Sequence, residues 1–164
     1  MDQTHLHLLI THLPIFGSLL GTFVLGYALW KKSDSTTLAA YYMLVISAIG
    51  AAIAYLTGEG AEETVENIQG VSETVIEQHA DFAVYALIGL SIVGVFSLIG
   101  IYFVHIKSTF AKTIAIATLF LALISFGLVA RTGYLGGQIR HTEIASGAVQ
   151  NGAGQGGEEE GDDD

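Results

Sequence analysis

Apolar positions in this chain gather into four long runs, at about 6–30, 38–56, 82–104 and 110–131, with polar residues concentrated between them. Crossing the hydrocarbon core of a bilayer takes about 20 apolar residues, so each run is long enough to span. A segment in lipid must satisfy its own backbone hydrogen bonds, so each span is expected to be helical. The links at 31–37 and 105–109 are short, which makes the joined helices antiparallel neighbours. The expected fold class is therefore an all-α membrane protein, an up-down-up-down four-helix transmembrane bundle.

The connector at 58–80 is longer and patterned. Val65, Ile68, Val71, Val75, Ile76 and His79 recur at helix-like spacing, and Gly70 interrupts them. This predicts short amphipathic outer helices between spans two and three. Thr74 to Glu77, "TVIE", has the form of a capping box, so a helix is expected to start there and run through His79 into span three. From Ser146 the chain turns Gly-rich and then acidic, ending "EEEGDDD". The domain is thus expected to cover 1–144, followed by a disordered, solvated tail at 145–164.

Composition agrees with a membrane reading. Of the 164 residues, 51% are hydrophobic and 13% charged, and the mean hydropathy is +0.55. The leading "MDQTH" carries no positive charge and the first apolar run far exceeds a signal-peptide core, so the run is kept as a span. Four of the six basic residues, Lys31, Lys32, Lys107 and Lys112, fall on one side of the bundle. The positive-inside rule makes that side cytoplasmic and puts both termini and the connector outside. With so few basic residues and no basic stripe, nucleic acid is not an expected partner. The chain has no cysteine, which rules out thiolate metal sites, iron–sulfur clusters and thioether-attached haem within it.

Chemistry then rests on the histidines. His5, His7, His12, His79 and His141 all fall toward the outer side, and His105 alone lies at the inner end. One buried histidine is ordinarily a hydrogen-bonded structural residue. Several at one depth, on three segments, are candidates for a metal centre, because neutral imidazole is the commonest metal ligand. H-E-x-x-H and paired Glu-x-x-His motifs are absent. A haem held by two histidines facing across a bundle remains open, as does non-haem zinc or copper binding.

Haem also requires a slot, and small residues provide slots. Ala83, Ala86 and Gly89 follow His79 in span three, and Gly133, Gly136 and Gly137 precede His141. Arg131 and Arg140 break the charge pattern at the outer side. They are expected either to pair with haem propionates or, for Arg131, simply to reach toward the interface. Helical phase separates the first histidines. His12 shares a face with His5, Phe16, Leu19 and Phe23. His7 lies about 140° away, above Thr11, Ser18 and Gly21. Pro14 frees the Ile10 carbonyl and is expected to kink the helix.

Four segments, in order, resemble one family of bacterial membrane domains, DUF2231. "LHLLITHLPIF" looks like its opening motif, with Leu8 where the motif has proline. "AYLTGEGAEE" is similar to its segment after span two, and "EQHADFA" to its histidine at the start of span three. "TGYLGGQIRHTEI" resembles its ending, with Thr142 replacing a glycine. The resemblance implies a four-helix bundle able to bind haem b, with relatives joined to cytochrome c-like domains. Its histidine positions carry over to His7, His12, His79 and His141.

The expected function is membrane-bound haem b electron transfer at the periplasmic side of the bacterial inner membrane, as a subunit of a larger respiratory complex rather than a stand-alone enzyme. The first expected ligand pair is His12 and His79. His7 and His141 form a second pair, for a second haem, or act as supporting donors. Two imidazoles leave no open iron position for oxygen chemistry. Electrons would pass to or from quinol, a periplasmic cytochrome or the larger complex. A non-catalytic scaffold subunit, with histidines that merely hydrogen-bond, is the third alternative beside haem and non-haem metal.

Overall fold

The computed structural model describes residues 3–65 and 71–140, and among these the chain is helical throughout, without strands. Helix α1 covers Gln3–Ile10 and α2 covers His12–Lys31. The others are α3 at Asp34–Val65, α4 at Glu73–His105 and α5 at Ala111–Arg140. Four stretches have the length and apolarity to cross a membrane: Thr4–Lys31, Asp34–Glu63, Glu73–His105 and Ala111–Ile139. Span one is thus α1 and α2 together; at Thr11 the backbone stays helical (φ −60°, ψ −25°) and its N–H bonds the His7 carbonyl, and what is missing is one bond of the helical ladder. The cause is Pro14, which has no N–H to offer the Ile10 carbonyl.

Each helix packs on the next, and α2 also packs on α5, which closes the four spans into a bundle. The short α1 leans on α3 more than on α2. Tight turns enforce the antiparallel arrangement. After α2, Lys32 adopts a left-handed conformation (φ 54°) and its N–H, with that of Ser33, caps the carbonyls of Leu29 and Ala28. Lys107, also left-handed (φ 51°), reverses the chain between α4 and α5.

The radial distribution of side chains is the reverse of a water-soluble protein's. Phe23 and Trp30 are 74% exposed and Leu56 78% exposed, while Ser18, Ser47, Ser97 and Thr118 are fully buried. Lipid tails are as apolar as leucine, so large apolar groups gain nothing by turning inward, and small residues that allow close approach fill the interior. The buried hydroxyls of Ser18, Thr22, Ser47 and Thr118 donate to backbone carbonyls. Ser47 of α3 donates across the interface to the Pro14 carbonyl at 3.1 Å, which also accepts from Ser18 at 2.5 Å.

The structure modifies one expected element. The amphipathic outer helices between spans two and three are, in their described parts, continuations of the spans: α3 runs on to Val65, and α4 starts at Glu73. Ser72, not Thr74, is the residue at the α4 N-cap. The physical reason is continuity of phase, since buried Ile76 and half-buried His79 share the face that α4 later presents to the bundle. At 33 residues, α4 is about 50 Å long against about 30 Å of hydrocarbon. Its acidic first turns therefore stand beyond the apolar zone. Gly70 and the 145–164 tail lie outside the described residues.

Candidate functional site

At the end of the bundle opposite the lysines, two imidazoles are held in matching ways. His7, on α1, bonds through Nδ1 to the Ala54 carbonyl of α3 at 2.9 Å, with the Thr57 hydroxyl at 3.2 Å. His79, near the start of α4, bonds through Nδ1 to the Thr132 carbonyl of α5 at 3.0 Å. A carbonyl oxygen can only accept, so in each ring Nδ1 carries the proton and Nε2 carries the lone pair. An Nδ1–H donated to a backbone carbonyl is also how metal-binding histidines are oriented. Both rings are partly buried.

Glycines seat these rings. A Cβ on Gly58 would lie 3.7 Å from Cε1 of His7, and one on Gly136 would lie 3.1 Å from Cε1 of His79. The bundle is built of two helical hairpins, and each repeats the same device. A histidine near the start of the first helix docks on a backbone carbonyl near the end of the second, with a glycine four residues beyond the acceptor under the ring edge: Ala54 and Gly58 in one, Thr132 and Gly136 in the other.

His12 is placed elsewhere. It is exposed, bonds through Nδ1 to the Leu8 carbonyl of its own helical turn at 2.8 Å, and stacks on exposed Phe16 at 6.3 Å between centroids. His7 and His79 thus each dock on a neighbouring helix at this end, whereas His12 bonds only within its own helical turn. His5 is exposed, and His105 is exposed at the lysine end with its Nδ1 on the Ile101 carbonyl. His141 lies outside the described residues.

The remaining candidate residues separate by contact. Gly136 forms the His79 seat, and a Cβ on Gly133 would meet Ile15 of α2 at 3.5 Å, whereas one on Gly137 would meet nothing within 4 Å. Ala83 is half-buried one turn after His79. Arg131 is exposed, with its guanidinium between the rings of Phe82 (5.6 Å) and Tyr134 (5.5 Å). That contact anchors the α4–α5 pair at the interface, and it turns Arg131 outward. The side chain of Arg140 is outside the described residues. Among the described residues, no three His, Cys, Asp or Glu side chains converge.

The family described as predicted membrane protein (DUF2231) matches residues 3–143, all five helices included. The chain belongs to the DUF2231 family. No curated protein and no solved structure matches it. Within this DUF2231 chain, sequence reasoning passed over Ala54 and Thr132, whose carbonyls anchor the imidazoles, and Gly58, which lies under the His7 ring.

Proposed function

We propose that this chain is a membrane-bound electron-transfer subunit in which His7 and His79 hold one b-type haem. The observation that carries the reading is the matched pair of imidazoles, each pinned through Nδ1 to a carbonyl of a neighbouring helix, with Nε2 left as the ligating nitrogen. The donor set fits the group: two neutral imidazoles, on different helices, at one end of the bundle. Gly58 and Gly136 leave room for the edges of the two imidazoles, which supports both rings being held in fixed positions.

When bound, a haem ligated by two imidazoles supplies one-electron transfer. The chain's own part is to fix both rings in the Nδ1–H tautomer and to limit water around them. In this reading the lysine end faces the cytoplasm and the histidine end the periplasm. Exposed Glu59, Glu73, Glu77 and Asp81 ring that end and suit a basic cytochrome or the basic face of a larger respiratory complex.

The test is a reduced-minus-oxidised spectrum of the full chain purified in mild detergent, with metal analysis. Bands of b type at one haem per chain are expected. They should be lost in His7→Ala and in His79→Ala and kept in His12→Ala. Zinc or copper without haem, or no stoichiometric cofactor, would overturn the proposal. Loss in His12→Ala with retention in His7→Ala would overturn the ligand pair.

A further inference from the structure

The lysine half of the bundle contains a second polar site, independent of the histidines. Tyr41 of α3 is fully buried, and its phenol end lies against Gly100 of α4. Ser97, also fully buried, is one turn away on the same helix face. Thr118 of α5 lies beside the Tyr41 hydroxyl. Its own hydroxyl donates to the Ile114 carbonyl at 2.8 Å, which leaves its oxygen able to accept.

Other interior hydroxyls, those of Ser18, Thr22, Thr37 and Ser47, donate to backbone carbonyls. The oxygens of Tyr41 and Ser97 have no hydrogen-bond partner among the described residues. Two orphaned hydroxyls in one bundle core are rare and costly. We propose that a water molecule is bound between Tyr41, Ser97 and Thr118, at the closed end of a hydrated vestibule that opens at the lysine end. Water accepts from one hydroxyl and donates to others, and three partners is the usual complement of a buried water.

The vestibule is a cavity of about 220 Å³, lined among others by Lys32, Asp34, Thr37, Val104, Lys112 and Ala115. Thr37, Val104 and Ala115 stand one helical turn from Tyr41, Gly100 and Thr118, so about one turn separates the cavity lining from the site. One turn to the other side, Leu44, Val93 and Ala122 are fully buried and apolar, and they close it. In this proposal water enters from the lysine side and stops at mid-bundle.

Thermal unfolding of the full chain in detergent decides the matter by its sign. Tyr41→Phe removes one oxygen and almost no volume. If the hydroxyl holds water, the variant melts lower, by about 2–4 °C, and Ser97→Ala adds less than its separate effect because the two share that water. An unchanged or higher melting temperature marks a dry, orphaned hydroxyl and overturns the proposal. The absence of native cysteine permits a second reading in reconstituted vesicles. Thr37→Cys should react with a small charged methanethiosulfonate far faster than Ala122→Cys, and equal rates would mean a dry vestibule and overturn it as well.

Discussion

The imidazole of His79 rests on the backbone of Gly136, one turn beyond the Thr132 carbonyl that receives its Nδ1 proton at 3.0 Å. The ring is thus fixed at two points on one face of α5. An imidazole held this way has little freedom to swing toward lipid or to exchange tautomers. The position of Nε2 is then set by how closely α4 and α5 approach, which makes helix packing part of the site.

Substitutions at neighbouring glycines should therefore diverge. Replacing a helical glycine with alanine favours the helix by about 1 kcal/mol. Gly137→Ala meets nothing within 4 Å and should raise the melting temperature with the cofactor retained. Gly136→Ala places its methyl 3.1 Å from the His79 ring, so the gain is offset by displacement of the imidazole. Gly136→Val should displace it outright, measured as loss of the bound cofactor's absorbance from a folded protein.

Arg131 separates two roles. Its guanidinium lies between Phe82 and Tyr134, a contact worth about 0.5–1 kcal/mol at an exposed site. Arg131→Gln should cost about that much in thermal stability and leave cofactor content unchanged. Cofactor loss in this variant would instead assign Arg131 to a carboxylate of the bound group.

The approach of α3 to α4 depends on Gly100, where an added methyl would run into the buried Tyr41 ring. Overpacking of this kind costs about 1–3 kcal/mol. Gly100→Ala should melt lower than the parent, and Tyr41→Leu in that background should recover part of the loss. Strict additivity of the two changes in thermal unfolding would show that they do not share the contact.

The four spans were legible because long apolar runs have few alternatives, and the break in span one because Pro14 lacks a donor. The connector was less legible, since hydropathy marks where a helix leaves lipid and not where it ends; α4 simply continues to Glu73. Helical phase correctly put His7 and His12 on different faces. Choosing between the faces required the rule for lipid. The aromatic row of Phe16, Leu19 and Phe23 turns outward, while the small, polar row of Pro14, Ser18 and Gly21 is buried. Exposed His12 goes with the aromatic row and half-buried His7 with the small one. The carbonyl anchors at Ala54 and Thr132 were invisible in sequence, because every residue carries a carbonyl and only the fold selects which ones face an imidazole.

Pro14 tests whether the break in span one serves the site. Proline in a helix interior costs about 3 kcal/mol, but Pro14 lies in the first turn of α2, where a missing N–H is tolerated. Its replacement should therefore change global stability little. Pro14→Ala restores a donor for the Ile10 carbonyl and favours one continuous helix through Thr11. A stiffer helix through Thr11 would limit the adjustment by which α1 keeps His7 on the Ala54 carbonyl and beside Gly58. The expected result is a variant that melts within about 1 kcal/mol of the parent, retains His79 in place, and binds cofactor more weakly than Gly137→Ala. Amide exchange resolves the cause: protection should rise at residues 10–14 as the helix closes. Higher protection there with unchanged cofactor binding would show that the break does not position His7.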